Sequence, residues 1–220
     1  MSGRSEAAFA LSCYGAYLAV RRAVWTDTGR ERARSNAIDL LALERRLGID
    51  IEEAAQRAAS DHRRLIRGLN VGYAAGNVFL SVGWLIVLHR RGSPVFRRER
   101  RAAAVAFVGA LPVFLMRPTA PPRRLDHMTD TLLDSSGIDL EHPLLIRFYN
   151  PIAAMPSHHA AFATVTGFGL AAKSRGRIGG WGWRSYPGAV AAAVVATGNH
   201  FVLDVVAGVA LGGVARWVTR

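Results

Sequence analysis

Cysteine is almost absent from this chain, which has only Cys13 in 220 residues. A single thiol cannot form an intramolecular disulfide, and it excludes a metal site built from several cysteines. Lysine is equally scarce, because Lys173 is the only one among 28 basic residues. Positive charge is therefore carried almost entirely by arginine.

Acidic residues are too few to balance the arginines, since 16 of them leave a net charge of +12. A strongly basic chain can bind nucleic acid. Here the basic residues cluster at the ends of apolar segments, where membrane topology alone accounts for them. The pattern favours a membrane protein, and no nucleic-acid partner is expected.

Charge is missing altogether from residues 69–88. A helix of about 20 apolar residues covers the roughly 30 Å hydrocarbon core of a bilayer. Five weaker apolar segments can be marked, although several are short enough to be buried helices of a soluble protein. They are residues 7–20, 102–116, about 160–172, about 186–199 and about 201–218.

Together these segments predict an all-α fold, an integral membrane six-helix bundle that forms one domain over residues 1–220. The first span is expected within residues 1–24, which lack a signal-peptide cleavage site. An amphipathic connection follows at 25–68, and spans two to six occupy 69–220.

Arginine placement predicts the orientation of the bundle. Residues 89–101 and 173–184 are rich in basic residues, which the positive-inside rule makes cytoplasmic. The loop at 117–158 and the turn near 198–200 then share the non-cytoplasmic face. The membrane is expected to be the cell membrane.

The connection between the first two spans also contains many arginines, diluted by acidic residues. Its pattern predicts one or two amphipathic helices lying on the bilayer surface. Glu44 and Glu53 are expected on the exposed side of these helices, and the alternative is that they reach the site. Their apolar face is predicted to contain Ile38, Leu41, Ala42, Ala54 and Ala55.

The segment "TGNHFVLDVVAG" at 197–208 carries a histidine and an aspartate four residues apart, His200 and Asp204. On a helix this spacing brings both side chains to one face. A carboxylate partner fixes the imidazole tautomer and leaves the other ring nitrogen free to attack. The structural alternative is a helix-capping aspartate beside an interfacial histidine.

The segment "AMPSHHA" at 154–160 has the form of a helix start, with Ser157 as the capping residue. Backbone amides at such a position can bind an anion, and a histidine in the next turn could donate a proton to it. Taken alone, the segment is more typical of a structural cap beside the interfacial histidines His158 and His159.

The segment "RPTAPPRR" at 117–124 places three arginines in a loop stiffened by proline: Arg117, Arg123 and Arg124. A restricted backbone lowers the entropy lost when a guanidinium binds phosphate through two hydrogen bonds. A solvated arginine cluster at the end of a span explains the pattern equally well.

Taken together, the three segments resemble the motifs of the type 2 phosphatidic acid phosphatase superfamily. Its usual pattern is Lys-x6-Arg-Pro, then Pro-Ser-Gly-His, then Ser-Arg-x5-His-x3-Asp. "PSHH" and "HFVLD" are similar to the second and third elements. The sequences "PTAPPR" and "NPIAAMPSHH" resemble those of the subgroup that includes inositol phosphorylceramide synthase.

The chain departs from the pattern at three positions, which hold Ala110, Ala193 and Val194 instead of the family's lysine, serine and arginine. The resemblance therefore leaves phosphate binding to other side chains, Arg123 first. The remaining candidates are Arg117, Arg124, Ser157 and Asn199.

The resemblance implies an enzyme that acts on a lipid phosphate without a metal or cofactor. His200 would attack phosphorus and form a phosphohistidine, Asp204 would orient it, and His159 would protonate the leaving oxygen. His158 takes the place of the family's glycine and would be a neighbour only. Water as the second acceptor gives a lipid phosphatase, the preferred interpretation, whereas a lipid hydroxyl gives a phosphotransferase.

Two other classes of function remain open from the sequence. A non-catalytic transporter or scaffold would line a path with intramembrane polar residues. A zinc site could use His158, His159, His200 and Asp204. The soluble vanadate-dependent peroxidases of the same superfamily lack the uncharged spans that this chain contains.

Overall fold

The computed structural model describes residues 3–220, with the backbone alone at residue 74. The fold is all-α, as predicted. Its helices, numbered here in chain order, are α1 Gly3–Val24, α2 Asp27–Leu47, α3 Glu52–Ser60, α4 Arg63–Val71, α5 Asn77–Arg90, α6 Phe96–Gly109, α7 Leu111–Met116, α8 Thr131–Ser136, α9 His158–Lys173, α10 Arg177–Ala196 and α11 Val202–Val218.

The apolar segments are helical, but two of them are divided. A π-helical turn at Gly72–Gly76 separates α4 from α5 within the stretch at 69–88. The segment at 102–116 is split between α6 and α7, because Pro112 lacks the amide that would continue the hydrogen-bond ladder. Among the helices within residues 3–220, none is both long enough and apolar enough to cross a membrane.

Helix α9 lies at the centre of the bundle, where it packs against α5, α6, α10 and α11. Glycines on α11 permit the closest of these contacts. A Cβ atom added to Gly208 would lie 2.3 Å from the Ser157 carbonyl oxygen, and one added to Gly212 would lie 2.7 Å from the Ala161 carbonyl oxygen. The starts of α9 and α11 are thereby held side by side.

The connection between α1 and α5 is helical, as predicted, but its buried face differs from the predicted one. Leu41 is buried, whereas Ile38 is 51% exposed and Ala42 and Ala54 are exposed. The buried face of α2 is instead built from Ala33, Ala37, Leu40 and Leu41, which pack on Ala120, Leu125, Ile152 and Phe201. The two alanines let the helix approach this surface closely.

Glu44 was expected on the exposed side of the connection, and this prediction is wrong. Its side chain is fully buried, because α2 presents it to the start of α11. Glu53 is half-exposed and pairs with Arg57, as expected for a surface position.

The long segment between α7 and α9 folds back over one end of the bundle. Thr119 and Ala153 form an isolated parallel β-bridge that joins the arginine-rich loop to the segment preceding α9. The Arg123 amide donates to the Gly198 carbonyl at 2.8 Å, which docks the same loop on the turn before α11. All three sequence motifs therefore meet at this end.

Candidate active site

A cavity of about 570 Å³ opens where the three motifs meet. Its polar end is lined by Arg123, His159, Asn199 and His200. Its other end is apolar and includes Val78, Val82, Phe107 and Phe162. One cavity thus combines a group of cationic and hydrogen-bonding side chains with a hydrocarbon-lined extension.

His200 is presented by a tight turn between α10 and α11. The turn is a Schellman motif in which the Asn199 amide donates to the Val194 carbonyl and the Gly198 amide to the Val195 carbonyl, both at 2.9 Å. Gly198 has φ of 69°, a left-handed conformation that glycine adopts without strain. The sequence suggested a helical position for His200, but it immediately precedes the residue that caps α11.

Asp204 nevertheless reaches His200, as the four-residue spacing predicted. Oδ2 of Asp204 lies 3.4 Å from Nδ1 of His200 and accepts a hydrogen bond from the Phe201 amide at 2.9 Å. Asp204 is fully buried in the first turn of α11. The aspartate therefore caps the start of the helix and lies beside Nδ1 of the imidazole, to which it makes no hydrogen bond.

His159 lies in the first turn of α9, whose capping residue is Ser157 as predicted. Its Nδ1 atom is 3.3 Å from Nε2 of His200, and its ring meets the edge of Tyr73 at 5.4 Å between centroids. Asn77 donates to the His159 carbonyl at 3.0 Å and accepts from the Tyr186 hydroxyl. The two histidines therefore face each other at the polar end of the cavity.

Burial sets the protonation of both rings. It lowers the pKa of His159 to about 3, with further lowering by the charges of His200, His158 and Arg123. It likewise lowers the pKa of His200 to about 3, together with the charge of Arg123. Both imidazoles are therefore neutral at pH 7, which is the form in which a histidine is nucleophilic.

Arg123 is the cation closest to this pair, and its side chain is only 5% exposed. Nε donates to Asp130 at 3.1 Å, and Nη1 donates to Oδ1 of Asn199. The Tyr73 hydroxyl donates to the same amide oxygen at 3.0 Å. These contacts hold the guanidinium at the cavity wall, where it can contact an anionic ligand.

The other predicted phosphate-binding residues lie elsewhere. Arg117 is exposed at the end of α7, and Arg124 pairs with Glu141 and lies over the Trp25 ring. The hydroxyl of Ser157 is buried and accepts from the Ala160 amide at 3.2 Å, which occupies it as a cap. Arg123 and Asn199 are thus the predicted phosphate-binding residues that line the cavity.

His158 has surroundings unlike those of its neighbour. Its ring stacks on Phe107 at 5.0 Å, meets Phe114 edge-on and places Nε2 3.0 Å from the Phe107 carbonyl. The zinc alternative requires His158 beside His159, His200 and Asp204. Within residues 3–220, no group of three or more His, Cys, Asp or Glu side chains is arranged to hold a metal ion.

The uncharged stretch at 69–88 contains polar residues that the sequence analysis did not single out as site residues. Asn70, Tyr73, Asn77 and Ser81 recur at helical spacing within the uncharged stretch at 69–88, and all four are buried. Polar side chains on one face of an apolar helix usually bind a partner. Here that face includes Tyr73, which donates to Asn199, and Asn77, which donates to the His159 carbonyl.

Comparison with known families bears on this arrangement. A family model described as the PAP2 superfamily matches residues 38–218, which include all three motifs and the second half of α2. The chain belongs to the PAP2 superfamily. Membership indicates an activity of the phosphatase or phosphotransferase type, and the superfamily is helical. No curated protein and no solved structure gives a significant match.

The match extends further than the resemblance on which the sequence prediction rested. That resemblance covered roughly residues 100–215, whereas the PAP2 match starts at residue 38, within α2. The helices of the connection therefore belong to the family region. The likeness to the inositol phosphorylceramide synthase subgroup stays a prediction.

Proposed function

We propose that this protein is a membrane lipid phosphatase that hydrolyses a phosphate ester or diphosphate of a lipid through a phosphohistidine. The observation that carries the proposal is the pairing of His200 with Asp204, opposite His159 and beside Arg123. This combination supplies a nucleophile, its orienting carboxylate, a proton donor and a cation at one end of one cavity.

In the first step, Nε2 of His200 attacks phosphorus while Nδ1 faces Oδ2 of Asp204 at 3.4 Å. The bond between phosphorus and the leaving oxygen breaks, and His159 gives that oxygen its proton. Arg123 neutralises the charge on the transferring group, with Asn199 beside it. Aspartate also balances the positive charge that develops on the His200 ring.

His159 must first acquire the proton that it donates. Its ring is neutral at pH 7 because burial lowers its pKa. An anionic phosphate placed beside the ring favours the charged imidazolium and raises this pKa again. Substrate must also displace the direct contact between the two histidines, since a phosphoryl group cannot lie between nitrogens 3.3 Å apart.

In the second step, water attacks the phosphohistidine and gives its proton to His159. The P–N bond breaks, its electron pair returns to Nε2 of His200, and inorganic phosphate leaves. A lipid hydroxyl in place of water would make the enzyme a phosphotransferase of the inositol phosphorylceramide synthase kind. The loop sequence "PTAPPR" is the observation that favours this second candidate.

The apolar end of the cavity supports a lipid as substrate. Val78 and Val82 of α5 and Phe162 of α9 supply apolar parts of the cavity wall. Such a surface is suited to a hydrocarbon chain, because transfer of the chain out of water lowers the free energy. A lipid phosphate can thus place its phosphate group beside the polar side chains and its hydrocarbon chain against the apolar wall.

Membrane insertion is part of the proposal. The helical path continues from α4 through the π turn to α5 and contains the uncharged stretch, along which Phe79, Val82 and Ile86 are exposed. Helices α9 and α11 start at the site and end near the basic residues Lys173 and Arg216. This polarity favours a site on the non-cytoplasmic face.

The test uses purified protein in detergent with a panel of lipid phosphates and diphosphates. Phosphate release without an added acceptor is expected, and glycerol 3-phosphate, which lacks the chain, should be a much poorer substrate. Diacylglycerol and ceramide-like acceptors are then added to the same reactions. Product that forms only after acceptor addition would contradict the phosphatase and establish the phosphotransferase.

A further inference from the structure

Two buried carboxyl groups outside the proposed catalytic set contact the first turn of α11. Oε1 of Glu44 accepts from the Leu203 amide at 2.6 Å, and Oε1 of Glu52 accepts from the Val202 amide at 2.8 Å. Both side chains are buried, Glu44 fully. We refer to Glu44 and Glu52 as the carboxyl clamp.

The clamp comes from a distant part of the chain. Glu44 lies in the last turn of α2 and Glu52 begins α3, so the two flank one short turn of the connection. They are separated from the amides that they contact by 159 and 150 residues in sequence. The packing of α2 on the loop before α9 is what brings them to α11.

The two carboxyl groups interact with each other as well as with the helix. Burial raises the pKa of Glu44 to about 8, opposed by the Leu203 amide and reinforced by the hydrogen bond and charge of Glu52 and by the charge of Asp204. Glu44 is therefore protonated at neutral pH, and its Oε2 atom is buried without a hydrogen-bond partner in the described part of the chain. The pair then accepts from two amides while carrying fewer charges than two carboxylates.

The Val202 and Leu203 amides are among those that have no hydrogen-bond partner within their own helix. The first N–H groups of an α-helix have no carbonyl partner within the helix. Asp204 binds the Phe201 amide, and the clamp binds the next two. These three amides lie between His200 and Asp204 in the chain, so the clamp fixes the backbone that joins the nucleophile to its partner.

Stability alone is a weak reason for this arrangement. Burying carboxyl groups costs desolvation energy that their hydrogen bonds only partly offset. A single serine or aspartate cap stabilises a helix start at lower cost. Groups that orient a reacting side chain, in contrast, are retained because small displacements of the nucleophile slow the reaction strongly.

We propose that Glu44 and Glu52 are positioning residues which, by holding the Leu203 and Val202 amides, keep the His200 imidazole and the Asp204 carboxylate aligned for phosphoryl transfer. This inference rests on the proposed function. Neither glutamate lines the cavity, so both act through α11 and not on the substrate.

The first test compares Glu44→Ala and Glu52→Ala with Glu53→Ala, a neighbouring glutamate that is half-exposed. The clamp variants should lose about 10- to 100-fold in kcat, as is typical for groups that orient a reacting residue. Their KM should stay within about threefold, because ground-state binding is untouched. Glu53→Ala should behave as wild type.

The conservative variant Glu44→Gln should restore activity. Its amide oxygen can still accept from Leu203, and the amide keeps the size and the neutral charge of the protonated carboxyl group. We expect its kcat to stay within about threefold of wild type, unlike that of Glu44→Ala. A kcat for Glu44→Gln as low as that of Glu44→Ala would contradict the proposed contacts.

A second pair of variants removes the amide and leaves the clamp in place. Val202→Pro deletes the donor to Glu52 at the first helical position, where proline is well tolerated. Phe201 already has φ of −69° and ψ of 158°, a conformation compatible with a following proline. Val202→Ala keeps the amide and is the control. Only Val202→Pro should lose kcat.

Orthovanadate and inorganic phosphate separate positioning from folding. Vanadate imitates the five-coordinate transition state and should inhibit the clamp variants about tenfold more weakly than wild type, whereas phosphate should inhibit all of them alike. A lower kcat with unchanged vanadate inhibition would indicate fewer folded molecules and contradict positioning. If Glu44→Ala does not fold, the Val202 pair decides.

The two proposals fail in different ways. Wild-type protein that releases no phosphate from any lipid phosphate contradicts the proposed function. Wild-type turnover, with Glu44→Ala and Val202→Pro each as fast as its control, contradicts the clamp alone.

Discussion

His158 and His159 are adjacent in sequence, yet their imidazoles lie in separate surroundings. His158 stacks among Phe107 and Phe114, whereas His159 faces His200 and Tyr73. Successive residues of a helix point about 100° apart, so His158 meets the aromatic side chains of the cavity wall while His159 meets His200. The first turn of α9 therefore separates a packing histidine from a reacting one.

Alanine substitution should reveal this difference. His159→Ala removes the proton donor and should lower kcat by about 10²- to 10⁴-fold with a lipid phosphate substrate. His158→Ala removes only packing, so its loss of activity per folded molecule should be much smaller. The measurement is steady-state kinetics on both proteins, normalised by their folded fractions. Equal losses would contradict the assignment of His159.

At the same scale, motif spacing predicted His159, His200 and Asp204 but not the side chains that support them. The helical period of the uncharged stretch marks Tyr73 but not its partner Asn199, and nothing in the loop sequence pairs Asp130 with Arg123. The resemblance put Arg123 first among the arginines, and the docking of the loop against Gly198 is what brings Arg123 to the cavity.

At the scale of elements, the crossing of α9 and α11 decides whether the two histidines meet. Each histidine lies at or just before the start of one of these helices, so their relative position follows from how closely the helices pack. Gly208 allows the Ser157 carbonyl to approach α11. A bulkier residue there would push the two starts apart.

Two glycines of α11 provide a matched comparison. A Cβ on Gly208 would lie 2.3 Å from the Ser157 carbonyl oxygen, whereas one on Gly213 would meet nothing within 4 Å. Gly208→Ala should therefore destabilise the protein by about 1–3 kcal/mol through overpacking. Gly213→Ala should be neutral or stabilising by up to about 1 kcal/mol, because alanine favours the helix. Thermal unfolding in detergent measures both, and a similar Tm for the two variants would contradict this packing.

Helix α2 shows why element prediction from sequence was incomplete. Its helical period was evident, but its buried face uses Ala33 and Ala37 while the larger Ile38 is exposed. Hydrophobic patterning gives most weight to large side chains, so it selected the wrong face. It also assigned Glu44 to the surface, because a buried carboxyl group is recognisable only from the partner that it contacts.

At the scale of the whole molecule, the order of the three motifs predicted membership of the PAP2 superfamily, and the family match confirms it. The helical character of the apolar segments was also predictable, since it depends on local composition. The cavity was not, because its walls come from residues spread between Tyr14 and His200 that pack together only in the folded protein.

The phosphohistidine is the central claim, and a rapid-quench labelling experiment tests it most directly. Wild-type protein is mixed with a lipid phosphate carrying ³²P in the transferred group, quenched in alkali and digested. The account predicts an alkali-stable, acid-labile label on the peptide that contains His200, and neither label nor turnover in His200→Ala. Phosphate release that persists in His200→Ala, or a label on another residue, would contradict it.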